Sequence, residues 1–129
     1  MCSSDLTLVW NADDVTAAIG TLFQEGNKAK HFELPKSRYA LYQADAVLKD
    51  GRRVGISHDC GAIANEHAFV SLATVEVEHA EPGTEVTVVW GEQPNSRKPA
   101  VEPHEQVEIR ATVAPAPYAE HARRRYRSQ

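Results

Sequence analysis

The chain has 129 residues, 42% of them hydrophobic, and a formal net charge of −4. That length suits one domain with one core, and the apolar share is too high for a disordered chain. The negative balance argues against a general nucleic-acid or anionic-membrane binder, and no apolar run reaches the roughly 18 residues of a membrane-spanning helix. Two cysteines, Cys2 and Cys60, make no disulfide framework, and no basic-then-apolar leader opens the chain. A reduced, cytoplasmic protein is therefore expected.

One helix is expected over residues 11–25. Asn11 suits the N-cap, and Asp13 and Asp14 sit in the first turn, where they favour the helix dipole. Val15, Ala18, Ile19 and Leu22 form one apolar stripe, Gly26 and Asn27 end it, and Pro35 forbids continuation. The later signals are strands. RYALYQADAVL (38–48) leads to Asp50-Gly51, a hairpin turn whose central positions need positive φ, and RRVGIS returns from it. AFVSLATVEVE (68–78) alternates Phe69, Ser71, Ala73, Val75 and Val77 against Val70, Leu72 and Thr74. EPGT (81–84) reads as a turn, EVTVVWGE (85–92) as the next strand, and 93–105 as a proline-punctuated loop. VEIRATV (107–113) puts Val107, Ile109, Ala111 and Val113 on one face. A mostly-β fold follows: a small antiparallel β-barrel or sandwich of about five strands, preceded by one N-terminal α-helix, with an edge left for a loop or another domain to finish.

The chemistry-bearing stretch is GISHDCGAIANEHAFVSLA (55–73). His58 and Cys60 would share a strand face, as a thiol and its base would need, and Asp59 would point the other way. The bland reading is a strand end followed by a glycine turn at Gly61. His58, Cys60, His67 and His79 have the right donor types for zinc but lack paired ligand spacing, so no metal is expected. Arg123–Arg127 reads as a solvated basic end rather than a nucleic-acid site. Trp90 reads as core or as a stacking surface for a planar ligand, and the NSRKP loop as an exposed pair of cations.

The run from Gly51 to Val113, with its hairpin glycine, VGISHDCG, VSLATV and EPGTEVTV, resembles the C-terminal barrel of the glycine-cleavage T-protein (aminomethyltransferase) family. Within that family the resemblance runs to the tetrahydrofolate-dependent aromatic O-demethylases of the vanillate and syringate type. Their marks here are ANEHAFVSLA (64–73), PGTEVTVVWGE (82–92) and SRKPAVEPHEQVEIRATVAPAPY (96–118). The ordinary T-protein has serine-proline in place of Asn65-Glu66 and lacks the tryptophan-glycine-glutamate. The likeness covers about residues 7–127.

The resemblance implies methyl transfer from a methoxylated aromatic acid to N5 of tetrahydrofolate, within a three-lobed ring whose central channel holds the folate. Substrate-binding and acid–base residues would come mainly from two N-terminal lobes outside this sequence, so no catalytic residue is carried across, and the chain is expected to be inactive alone. This lobe would close one side of the folate channel, with Trp90, Arg97 and Lys98 as the candidate cofactor contacts. HDCGAIANEH would be a demanding turn between two strands, relieved by Gly61 and tied by Asn65 and Glu66 through side-chain bonds to backbone. The implied partners are the missing lobes or a subunit that carries them. Exposed apolar surface would also favour self-association, and a stand-alone docking module is the alternative. CSSDL resembles translated sequencing-adapter sequence, so residues 1–6 read as a non-native leader on a truncated gene, against an ordinary N-terminal tail or a natural single-lobe protein. Residues 7–30 then read as a lead-in strand and helix, 31–117 as the barrel and 118–129 as a basic tail.

Overall fold

A computed structural model describes residues 2–26, 28–30, 44–63, 66–91 and 105–115. Six strands close into a barrel: β1 (Cys2–Trp10), β2 (Ala44–Lys49), β3 (Arg52–Ile63), β4 (Ala68–Glu76), β5 (Glu85–Trp90) and β6 (Val107–Pro115). Around the barrel the order is β1-β4-β3-β2-β5-β6, and each adjacent pair is antiparallel. The expected mostly-β barrel with one helix is therefore the observed architecture.

Closure differs from the expectation of an unfinished edge. β1 pairs with β4 through Thr7↔Leu72 and Val9↔Val70, and with β6 through Leu8↔Val113 and Trp10↔Ala111. The lead-in strand is thus a stave of the barrel rather than a prelude to it, and residues 2–6, read as a leader, extend that stave. Among the described residues, closing the sheet gives every strand a neighbour on both sides.

The turns form as their residues require. Asp50 and Gly51 both have positive φ (52° and 79°), the pairing that a tight two-residue hairpin needs. At the EPGT turn Gly83 has φ 95°, and the Thr84 N–H donates to the Glu81 carbonyl at 3.1 Å. The alternation in β6 is also as expected, with Ile109, Ala111 and Val113 buried and Val107 half-buried. Val77 lies beyond the end of β4 and is exposed, so the inward row there stops at Val75.

The helix is shorter than its apolar stripe. α1 spans Ala12–Gly20, with the Asn11 side chain accepting from the Asp14 N–H, and a 3-10 turn covers Thr21–Phe23. Thr21 ends the α-helix: its hydroxyl donates to the Ala18 carbonyl at 2.7 Å and accepts from the Ala29 N–H at 3.0 Å. Such local side-chain bonds compete with helical ones. Val15 and Ala18 join the core, Ile19 packs against it, and Phe23 is exposed. The part of the 38–48 strand before Ala44, the 93–105 loop up to His104 and the basic tail lie outside the described residues.

Candidate functional site

The core sets the stage. Trp10 meets Phe69 at 4.8 Å between ring centroids and Trp90 edge-on at 5.8 Å. Its indole N–H donates to the Ser71 hydroxyl at 3.0 Å, and Ser57 donates to the same oxygen at 2.7 Å. Ser57 and Ser71 are both wholly enclosed, so this line of bonds lets polar groups sit inside the barrel.

β1 ends at Trp10, and α1 then packs against β6 and β4. Asp14 fixes that packing. Its carboxylate accepts from the Arg110 backbone N–H at 2.8 Å and from the guanidinium at 2.8 and 2.9 Å. The Arg110 side-chain bond, then the backbone bond, hold the Asp14 carboxyl down at about 2. Between α1 and the far end of the β3–β4 hairpin lies an open groove of about 740 Å³. Ile19, Ala62, Ile63 and Phe69 supply apolar walls, and Glu66 and His67 stand exposed on the rim. The lining is mostly apolar, with Thr16 as a further polar side chain.

His58 and Cys60 do not share a strand face as expected. β3 carries two bulges. Val54 is the extra residue between Arg53↔Leu48 and Gly55↔Val47, and a second extra residue lies between His58↔Leu72 and Gly61↔Val70. Asp59 sits in that second bulge with φ 52°. A bulge reverses the alternation, so Cys60 turns into the core while His58 lies opposite the exposed Leu72 on the outer face. Among the described residues, the one grouping of metal-donor side chains is the Glu76, Glu78 and His79 set, not His58, Cys60 and His67. Glu76 there is already ion-paired with Arg52 at 3.1 Å.

Gly61 belongs to β3, paired with Val70, and the positive-φ positions are Asp59 and His67 instead. Glu66 is exposed in the short turn that follows, and Asn65, Arg97 and Lys98 lie outside the described residues. Trp90 is 0% exposed within this chain. Its N–H donates to the Lys30 carbonyl at 2.8 Å, and the Lys30 ammonium lies 5.1 Å from the ring centroid. Trp90 thus anchors the segment that enters the barrel from α1. Of the three candidate cofactor contacts, Trp90 is therefore enclosed, and Arg97 and Lys98 lie outside the described residues. The Asp14–Arg110 clasp and the Ser57–Ser71 pair escaped the sequence reading because their partners lie 96 and 14 residues apart.

No protein-family model matches the chain. It is similar to a syringate O-demethylase of Sphingobium sp., 43% identical over 123 residues. It is also similar to a sesamin methylene transferase of Sinomonas sp., 30% identical over 123 residues. The matches take in 94% and 88% of this chain but only 26% and 25% of those proteins. The chain therefore spans about a quarter of the length of the curated relatives it matches, and its relatives are O-demethylase-like transferases. No described helix is long and apolar enough to cross a membrane.

Proposed function

We propose that this chain is the barrel lobe of a tetrahydrofolate-dependent O-demethylase. The complete enzyme would move a methyl group from a methoxylated aromatic acid to tetrahydrofolate in the cytoplasm, and the lobe alone would be inactive. One observation carries this reading: 43% identity along almost the whole chain to a syringate O-demethylase, against only 26% of that protein's length. The folate and the aromatic acid would be held by the other lobes, and the barrel would serve as a rigid wall against which they close. The enclosed core agrees with a wall rather than a catalytic centre.

The test is a chimera of the Sphingobium protein in which this chain replaces the matched quarter. Turnover of syringate with tetrahydrofolate is expected from the chimera and none from the isolated chain. A folded chimera without turnover, or demethylation by the isolated chain, overturns the reading.

Barrel closure favours a second reading, a stand-alone module that docks on a partner carrying the other lobes, because a closed sheet needs no neighbour to complete it. That reading expects the chain, added in trans, to restore turnover to the Sphingobium protein stripped of its matched quarter. Recovery only in the continuous chimera rejects it.

A further inference from the structure

The outer face of β1, β4 and β3 differs from what a solvated barrel wall needs. Outward positions alternate with the buried ones, and the register places Val9 beside Val70, Leu72 beside His58, and Thr74 beside Ile56. Leu72 is 46% exposed and Ile56 is 36% exposed. Thr7, in the Leu72 row, is buried, so the face runs from covered at β1 to open at β4 and β3. It does not stop at the strand ends. Val9 also lines the groove beside α1, where Ile19 and Ile63 extend it. Leu72 and Ile56 thus stand on the barrel wall, between the groove that Val9 helps to line and the Arg52–Glu76 ion pair at the other end. Two exposed aliphatic side chains on one wall, beside an apolar groove, suit an interaction site.

We propose that this surface is the seat of the rest of an O-demethylase-type polypeptide, whether continuous with this chain or carried by a partner. The inference rests on the reading given under Proposed function and names the face through which that reading acts. The occupant follows from length: the relatives carry about three-quarters of their chain outside the matched region, since the match takes in 26% and 25% of them. A body that large must rest on this lobe, and interface cores are depleted in charge relative to other surface. The alternative wall, β5 and β6, presents Glu85, Thr87, Val89, Glu108, Arg110 and Thr112 outward, and its charges do not suit such a core. The groove sets the direction of approach, because a docked body that covers Leu72 and Ile56 can also send an apolar side chain in beside Ile19 and Ile63.

Hydroxyl-radical footprinting reads this surface without reference to activity. Oxidation of Leu72 and Ile56 is compared between the isolated chain and the chimera with the Sphingobium protein, with Val89 on β5 as reference. At least fivefold protection of Leu72 and Ile56 in the chimera, with Val89 changed less than twofold, is expected. Equal oxidation in both proteins overturns the inference even where the chimera turns over syringate. Protection in a chimera that folds but lacks turnover supports the surface and defeats the functional reading instead. In an active chimera, Leu72→Lys is expected to lower turnover at least tenfold and Glu108→Lys less than twofold. Equal effects of the two also overturn it.

Discussion

The two walls of the barrel are built from the same kind of strand and face the same interior, yet their outer surfaces diverge. On β5 and β6 the outward residues pair Glu85 with Thr112, Thr87 with Arg110 and Val89 with Glu108. On β4 and β3 the outward residues include Leu72 and Ile56. Inside, both walls supply small aliphatic residues around Trp10 and Trp90. The interior is what makes a barrel, and either wall would do for that. The outside is not needed for the fold, so an apolar outer wall points to something beyond the fold.

The largest expected effect tests whether the interior stands on its own. Trp90→Ala removes an indole that is fully enclosed and holds the Lys30 carbonyl, and a loss of about 3–5 kcal/mol is expected by denaturant unfolding. Trp90→Phe keeps most of the packing but loses that bond, and should cost about 1–3 kcal/mol. If both variants melt like the parent, Trp90 is not a core anchor, and a ligand-facing role returns. Next is Gly55→Ala. A Cβ at Gly55 would stand 2.3 Å from the Thr74 carbonyl oxygen, so β3 and β4 must part where the apolar wall is formed. A loss of about 1–3 kcal/mol is expected. A neutral result would mean that the two strands are not held at this spacing, and the apolar wall would lose its scaffold.

Much of this architecture is legible in the sequence, and the failures share a cause. Asp50-Gly51, Pro82-Gly83 and the alternation of Val107 to Val113 depend on neighbours in the chain, so local chemistry suffices to place them. The closure of β1 on β6 pairs Trp10 with Ala111, and nothing local to either residue announces it. The bulges in β3 are subtler. A strict period of two set His58 and Cys60 on one face, but the extra residue near Asp59 shifts the count and separates them. A non-glycine residue at φ 52° is the structural sign of that shift, and aspartate tolerates such a conformation well enough to carry no warning in the sequence. Trp90 was legible as core, with a stacking surface as the alternative, because an aromatic at a strand end suits both. Only its burial and its bond to Lys30 separate them.

A smaller effect sharpens the charged wall. Asp14→Asn breaks the bidentate pair with Arg110, whose side chain is 58% exposed against 21% for Asp14. Exposure screens the pair, and a loss of about 1 kcal/mol is expected near neutral pH. The sign with pH follows from the depressed carboxyl. Asp14 titrates at about 2 in the fold, against about 3.9 in an unfolded chain. Its contribution is therefore complete above about pH 4 and is lost as pH falls towards 2. Unfolding free energy measured from pH 5 to 2 should fall more steeply in the parent than in Asp14→Asn, and parallel curves would show that the clasp contributes nothing.

The smallest expected effect bears most directly on the difference between the walls. Leu72→Ser in the isolated chain removes an apolar side chain that is 46% exposed and faces outward between Thr7 and His58. A surface substitution away from caps, cavities and buried polar groups stays within about 0.5 kcal/mol. Near-neutral stability is therefore expected from denaturant unfolding, on a par with Glu108→Ser on the opposite wall. A cost of about 2 kcal/mol or more would mean that Leu72 is already packed within the isolated chain. The apolar wall would then be internal structure, and its contrast with β5 and β6 would carry no information about a partner. Near-neutrality leaves Leu72 as a residue the lobe does not need for its own stability, as expected of a side chain whose contacts lie on another body.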